Sequence, residues 1–327
     1  MKSTLLASSL ALATFVSTAA FAEPYIYVAA GSANKVLVID AENNKVVNEF
    51  SDIANPHALV MTPDDEYVIS GSLSTKENDK GEKEGTLYVI HPDHGHVMAT
   101  YPLPGMIHHQ AISPSGKYVV STHPRLGGVS ITNMEDDSDS KFLETGKGPN
   151  YTVFTKDGKR AYITNTGDGS ISEVDTQSWQ VLRTLKAGST PEHMSLSNDE
   201  STLYVVNARA GTVSAVSVKP GEIEQTFKVG DGAHGLDLSE DGQSLFTTSK
   251  KSGIVVKIDL KSGKMDQLAL SPSPYHLEAL AGTGKVYVSS SKSPRIWVVD
   301  AKTFQKVDEI AIQGEGHQMA VTAVHTD

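Results

Sequence analysis

The chain has 327 residues, of which 39% are hydrophobic and 20% charged, and its formal net charge is −11 at pH 7. This balance is typical of a globular protein, and the acidic excess argues against binding to nucleic acid or to anionic membrane surfaces. The sequence contains no cysteine, which excludes disulfides, iron–sulfur clusters, covalently attached c-type haem and thiolate copper centres.

Residues 1–22 have the pattern of a secretory signal peptide. Lys2 precedes an apolar run, and small residues at positions 19–22 form a cleavage motif before Glu23. No later stretch reaches the roughly 20 apolar residues of a membrane span. The sequence therefore predicts an exported domain of residues 23–327 without membrane insertion. The expected location is the periplasm, with secretion beyond it as the alternative.

A repeated unit fills the mature chain. Its copies begin at His57, His108, Asn150, Glu192, His234, Tyr275 and His317, which are 51, 42, 42, 42, 41 and 42 residues apart. Within each copy, apolar residues alternate with polar or small ones, and Asp-Gly, Ser-Gly or similar pairs separate the runs, as in short strands joined by tight turns. The one long interval contains the polar segment 76–85, which we expect to form a solvated loop.

Four strands in each of seven units predict an all-β fold, a seven-bladed β-propeller. The last copy supplies one strand, in residues 318–324, and the segment after Glu23 supplies the other three. We therefore expect one blade to be shared between the termini. Residues 163–185 (ITNTGDGSISEVDTQSWQVLRTL) and 204–218 (YVVNARAGTVSAVSV) resemble the YVTN-type β-propeller repeat family. That resemblance implies the same fold over essentially the whole mature chain.

Seven of the 12 histidines fall at the first or second position of the repeat. They are His57, His108, His109, His193, His234, His276 and His317. The first strand of each propeller blade lines the central channel and all blades run the same way, so we expect these side chains to form a ring at one mouth. Imidazole is a suitable ligand for zinc, copper, iron and nickel. The alternative is a structural histidine copied into many blades without a metal.

The register of the strands ranks these candidate ligands, because adjacent strand residues point to opposite faces. The first-position residues His57, His108, His234 and His317 form the predicted core of the site. His193 and His276 come next, and His109 is an added or supporting ligand. Asn150 and Glu192 occupy first positions and could supply an oxygen ligand or a base. His123 lies where other units have Asn165 or Asn207, which favours a structural role.

Two resemblances suggest what such a ring would do. The multi-histidine channel with its His-His pair in HHQAIS, at His108 and His109, is similar to the copper sites of nitrous oxide reductase and thiocyanate dehydrogenase. This resemblance implies copper ligands and redox chemistry. The chain is shorter than either enzyme and lacks a cysteine-bound dinuclear copper domain, so turnover would need an external electron-transfer partner.

The segment HPDHGH, with His91, His94 and His96, resembles the histidine-rich elements of periplasmic zinc-chaperone propellers. This resemblance implies that the protein handles zinc and transfers the ion to a periplasmic partner. The similarity of the repeats to the haem-type nitrite reductase propeller adds a tetrapyrrole as a third possibility. The sequence thus predicts a periplasmic propeller that binds copper or zinc, with a copper-dependent oxidoreductase and a non-catalytic interaction propeller as alternatives.

Overall fold

The computed structural model describes residues 24–93, 95–136 and 140–322. These residues form seven antiparallel sheets arranged as blades, with a single 3-10 turn at Gly31–Ala33. The predicted seven-bladed β-propeller is confirmed. No helix in this part of the chain is long and apolar enough to cross a membrane. The predicted signal peptide lies outside the described residues.

The strands follow one another blade by blade along the chain. The N-terminal strands are β1 (Tyr25–Ala30), β2 (Lys35–Asp40) and β3 (Lys45–Phe50). Blade 1 contains β4 (Pro56–Met61), β5 (Val68–Ser72), β6 (Lys76–Glu77), β7 (Lys83–His91) and β8 (His96–Pro104). Blade 2 contains β9 (Gln110–Ile112), β10 (Tyr118–His123), β11 (Gly128–Asn133) and β12 (Lys141–Glu144).

The remaining blades repeat the same four-stranded plan. Blade 3 contains β13 (Pro149–Phe154), β14 (Arg160–Asn165), β15 (Ser170–Asp175) and β16 (Gln180–Lys186). Blade 4 contains β17 (Pro191–Leu196), β18 (Thr202–Asn207), β19 (Thr212–Ser217) and β20 (Glu222–Lys228). Blade 5 contains β21 (Ala233–Leu238), β22 (Ser244–Ser249), β23 (Ile254–Asp259) and β24 (Met265–Ala269). Blade 6 contains β25 (Pro274–Leu280), β26 (Lys285–Ser290), β27 (Arg295–Asp300) and β28 (Gln305–Ala311), and the last strand is β29 (Gly316–Val321).

The two ends of the chain close the ring. Strand β29 pairs antiparallel with β1, so blade 7 has the order β29-β1-β2-β3. The backbone N–H of Tyr25 also donates to the Thr322 hydroxyl, 3.1 Å away. Sharing a blade between the termini removes the open sheet edges that a linear array of blades would expose. The structure therefore has the shared blade that the incomplete last repeat predicted.

The polar segment 76–85 differs from the solvated loop expected for it. Strand β6 pairs with the extended start of β7, with Lys76 opposite Glu84 and Glu77 opposite Lys83. The turn is closed by Asn78, whose side-chain oxygen accepts the backbone N–H groups of two residues that follow it. The segment is largely exposed, as expected, but local pairing gives it a hairpin.

The core lies between neighbouring blades. One cluster, for example, joins Tyr162 and Ile171 of blade 3 to Leu203 and Val205 of blade 4, all nearly inaccessible to solvent. Each sheet thus covers an apolar face of the next. This packing fixes the innermost strands of all seven blades around a common channel.

Candidate metal centre

A β-bulge interrupts the inner strand of every blade. In blade 3, the consecutive residues Asn150 and Tyr151 face the single residue Thr164 of β14. Blades 1, 4, 5, 6 and 7 show the same shift of register. In blade 2 the backbone of Thr122 bonds to both residues of the His-His pair. Because a bulge turns the strand locally, two consecutive side chains can face the same side of the sheet.

The bulges build two tiers of side chains around one channel mouth. The outer tier, the first residue of each bulge, consists of His57, His108, Asn150, Glu192, His234, Tyr275 and His317. The inner tier, the second residue, consists of Ala58, His109, Tyr151, His193, Gly235, His276 and Gln318. Every predicted ligand lies in one of these tiers. We call these seven imidazoles, contributed by six blades, the histidine cluster.

One half of the histidine cluster surrounds His57. The centroid of its ring lies 4.5 Å from that of His108, 4.8 Å from that of His317 and 5.1 Å from that of His109. His108 and His109 are themselves 4.3 Å apart, centroid to centroid. Side chains from blades 1, 2 and 7 therefore meet at one point.

The other half contains His193, His234 and His276, whose ring centroids are 4.7 to 4.8 Å from one another. His109 joins the halves, with its centroid 5.0 Å from that of His193. Ligand nitrogens lie within 4.8 Å of one another in two groups of three: His57, His109 and His276, and His193, His234 and His276. His276 belongs to both groups.

The cluster contains many polar atoms without a protein partner. Of its fourteen ring nitrogens, ten are buried and accept or donate no hydrogen bond within the protein. Both nitrogens are unpartnered in His57, His109 and His276. One nitrogen is unpartnered in each of the other four histidines. These buried groups are the strongest indication that the mouth of the channel holds a ligand, because most buried polar atoms in proteins are paired.

Burial keeps the cluster uncharged. Desolvation lowers the pKa of five of the imidazoles well below the ordinary 6.5; they are His57, His109, His193, His234 and His276. Desolvation also lowers the pKa of His108 to about 4 and that of His317 below its ordinary value. A neutral imidazole offers a lone pair without first losing a proton. Near neutral pH, the cluster is therefore chemically ready to accept a cation.

Three polar side chains border the cluster beside His234. Glu192 accepts a hydrogen bond of 2.5 Å from His234 Nδ1. Lys250 Nζ lies 3.4 Å from the same nitrogen and 4.7 Å from the centre of the Tyr275 ring, which stacks on His234. Burial raises the pKa of Glu192 and lowers that of Lys250. With Nδ1 donating to Glu192, the unpartnered Nε2 of His234 carries the free lone pair.

Hydroxyl groups of the second strands hold the bulges in position. Thr164 Oγ1 accepts the backbone N–H of Tyr151 at 3.0 Å and donates to the carbonyl of Glu192 in the next blade at 2.8 Å. Thr122 and Thr248 make the same pair of bonds in blades 2 and 5. Each hydroxyl thus ties the bulge of one blade to that of the next. The recurrence of Thr or Ser near the end of the second strand is the sequence signal for this arrangement, which the sequence analysis missed.

Tyr151 and Gln318, both of the inner tier, connect two blades beside the cluster. The Gln318 side-chain amide donates to the Tyr151 hydroxyl at 3.2 Å, a bond that crosses the channel from blade 7 to blade 3. The Tyr151 ring also stacks on His193. Further along the inner strands, burial raises the pKa of Asp237 to about 6 and that of Glu278 well above its ordinary value.

The structure ranks the predicted ligands differently from the sequence. His108 and His317, two of the four residues expected to form the core of the site, are in neither group of three. The groups of three do contain His109, His193 and His276, which the alternation of strand residues had ranked lower. The bulges cause the difference, because they direct the second residue of each pair into the channel as well as the first.

Three further histidines among the described residues lie away from the cluster. His91 and His96 face each other in the outermost hairpin of blade 1, and His94 is outside the described residues. Two hydrogen bonds hold the His123 ring. Its Nδ1 lies 3.0 Å from the Met106 carbonyl oxygen, and its Nε2 lies 2.8 Å from the hydroxyl of Ser130 in β11. Both of its nitrogens are therefore used in structural hydrogen bonds.

A family model described as a YNCE-like β-propeller matches residues 3–325. The chain belongs to the YNCE-like β-propeller family. The expected membership of a YVTN-type propeller family is thereby confirmed. No curated protein matches the sequence of this YNCE-like propeller.

Solved structures of other propellers are similar to it in fold. A putative 6-phosphogluconolactonase from Bacteroides fragilis is 16% identical, with a TM-score of 0.75 over 92% of this chain and 98% of its own. The periplasmic gluconolactonase PpgL of Pseudomonas aeruginosa is 18% identical, with a TM-score of 0.74 over 92% and 100%. Hydrazine synthase of Kuenenia stuttgartiensis is 16% identical, with a TM-score of 0.71 over 83% and 90%. At these identities the similarity shows the fold alone.

Proposed function

We propose that this YNCE-like propeller is a metal-binding protein of the cell envelope that holds copper or zinc in the histidine cluster. The observation that carries the proposal is the set of ten buried, unpartnered ring nitrogens at one channel mouth. Leaving one buried polar group unsatisfied costs about 1–3 kcal/mol. Ten such groups cost on the order of 10 kcal/mol, which is comparable with the whole stability of a domain. A bound ion removes much of this cost.

The donor set favours late first-row transition metals. The ligands are neutral imidazole nitrogens, which suit copper and zinc, whereas calcium and magnesium prefer oxygen ligands. Imidazole nitrogens bind zinc at ~2.0–2.1 Å, which places the ligands of a tetrahedral site about 3.4 Å apart. The ligand nitrogens of each group lie within 4.8 Å of one another. The nitrogen–nitrogen separations would need to shorten by about 1.4 Å at most, which is about 0.7 Å for each of two side chains.

The place of the protein in the cell is part of the same proposal. The basic start, the apolar run and the small-residue cleavage motif of residues 1–22 support export to the periplasm. A periplasmic partner would deliver the metal or, if the metal is copper, exchange electrons with it. Fractionation of the native cells and mass spectrometry of the N-terminus test the location, with Glu23 expected as the first residue of the mature protein.

The test of metal binding is equilibrium dialysis of metal-free protein against Zn²⁺ and, separately, Cu²⁺. We expect near-stoichiometric uptake of at least one of them by the wild-type protein. His109→Ala should weaken binding at least tenfold. Alanine already occupies the equivalent bulge position at Ala58, so this backbone accepts the substitution. Electron paramagnetic resonance of the copper-loaded protein, before and after addition of ascorbate as a reductant, would show whether the ion undergoes redox change.

The matched control is His96→Ala, which removes a histidine from the outer hairpin and leaves the cluster intact. It should bind metal like the wild type. Equal loss in the two variants would place the ion outside the cluster. So would metal uptake that His276→Ala, which removes the residue common to both groups, does not alter. Absence of uptake by the correctly folded wild-type protein would leave ordered water as the partner of the ring nitrogens and would refute the proposal.

A further inference from the structure

The histidine cluster is divided into two ligand groups rather than converging on one centre. His57 and His109 lie on one side, and His193 and His234 lie on the other. Each pair forms a group of three with the same third residue, His276. The arrangement therefore contains two places where three imidazole nitrogens are within reach of one ion.

His276 has the chemistry needed to serve both groups. It is 1% exposed, and both of its ring nitrogens are buried without a protein partner. Its centroid lies 5.8 Å and 5.9 Å from those of His57 and His109, and 4.7 Å and 4.8 Å from those of His193 and His234. Neither nitrogen is committed to a partner within the protein, so the ring can offer one nitrogen to each group.

We infer that the cluster binds two transition-metal ions that share His276 as a bridging imidazolate. This inference rests on the proposed metal-binding function and adds the number of ions and the residue that links them. Binding of the second ion replaces the remaining ring proton of His276, and that proton passes to solvent. With each metal–nitrogen bond at ~2.0–2.1 Å on opposite sides of one imidazole, the ions lie roughly 6 Å apart.

The two ions have unequal surroundings. On the first side, the ring of His108 lies beside those of His57 and His109, outside the group of three, and its Nδ1 has no partner within the protein. On the second side, the neighbours of the group within the described residues include Glu192, which is already bonded to His234, and two stacked tyrosine rings. The second ion therefore has three imidazoles and a position open to an exchangeable ligand.

Three alanine variants of the inner tier test the inference with Zn²⁺ and Cu²⁺ as probes. His109→Ala removes a ligand from the first group alone, His193→Ala from the second alone, and His276→Ala from both. Metal-free protein is titrated calorimetrically, and the ions bound after dialysis are counted by mass spectrometry. Folding of each variant is checked by thermal denaturation. All three should fold, because each places alanine at the position that Ala58 occupies in blade 1.

We expect two ions per wild-type chain, one in His109→Ala, one in His193→Ala, and at least a tenfold loss of affinity at both sites in His276→Ala. Copper-loaded wild-type protein should lose electron paramagnetic resonance intensity as the second Cu²⁺ binds, because an imidazolate couples the two spins.

A wild-type chain that binds one ion, which His109→Ala and His193→Ala each abolish, overturns the two-ion inference and leaves the proposed metal-binding function standing. Any other count in the wild type, or an undiminished copper signal at full occupancy, also overturns it. Failure of the folded wild type to bind either metal overturns both.

Discussion

Acid should destabilise the metal-free protein strongly, because the cluster is folded around neutral imidazoles. A histidine whose folded-state pKa lies below 6.5 takes up protons more readily when unfolded, so it stabilises the fold above pH 6.5 and this stabilisation is lost as the pH falls. For His108, with a folded-state pKa of about 4, lowering the pH from 7 to 5 removes about 2 kcal/mol. Burial also lowers the pKa of five other imidazoles well below 6.5.

Three buried carboxyl groups act in the opposite direction. Glu192, Asp237 and Glu278 have raised pKa values, so the folded state holds their protons more firmly and acid favours it. For Asp237, with a pKa of about 6, the gain between pH 7 and pH 5 is about 1 kcal/mol. Seven imidazoles with lowered pKa values outnumber three carboxyl groups with raised ones, so the net effect of acid is a loss of stability.

Urea unfolding at pH 7 and pH 5, followed by the fluorescence of the buried residues Trp179 and Trp297, measures this loss. His109→Ala should reduce the dependence on pH, and His96→Ala should not. Saturating Zn²⁺ should raise stability at both pH values. The increase should be smaller at pH 5, because binding of the second ion releases the remaining ring proton of His276. Equal stability of the metal-free protein at the two pH values would refute the reasoning, because it would mean that the imidazoles protonate without unfolding.

Three further substitutions test individual contacts. Glu192→Gln removes the charge that orients His234, and we expect a loss of metal affinity of about tenfold, measured by calorimetry, with little change in stability. Gly235→Ala brings a Cβ to 3.0 Å from the backbone of His276, so it should reduce both metal affinity and thermal stability; normal affinity would show that the bulge can give way. Gly71→Ala places a Cβ 2.4 Å from a buried isoleucine of blade 2 and should cost about 1–3 kcal/mol in urea unfolding, whereas an unchanged midpoint would contradict the close packing of the blades.

The repeat made the architecture predictable. Copies 41 to 51 residues apart, each with alternating apolar residues, require neighbouring units to cover their sheet faces. The single strand left after His317 implied a shared blade, and β29 pairs with β1 accordingly. The common position of seven histidines in the repeat placed them at one channel mouth. These inferences depend on spacing alone, which the sequence displays directly.

The ligand ranking could not be obtained in the same way, because it depends on the backbone register between adjacent strands. Regular alternation would have turned His109 and His276 away from the channel, and the bulges turn them into it. Proline at the start of several inner strands, as in Pro149 and Pro191, is compatible with a bulge and was an available signal. The division into two ligand groups rests on distances between blades, which no local pattern contains.

Crystals of the protein grown with Zn²⁺ or Cu²⁺, and anomalous diffraction at the absorption edge of that metal, test the central claim most directly. The account predicts anomalous density inside the histidine cluster, with at least three imidazole nitrogens at ~2.0–2.1 Å from an ion. Anomalous density confined to other sites, such as the outer hairpin at His91 and His96, with only water among the seven imidazoles, would contradict it.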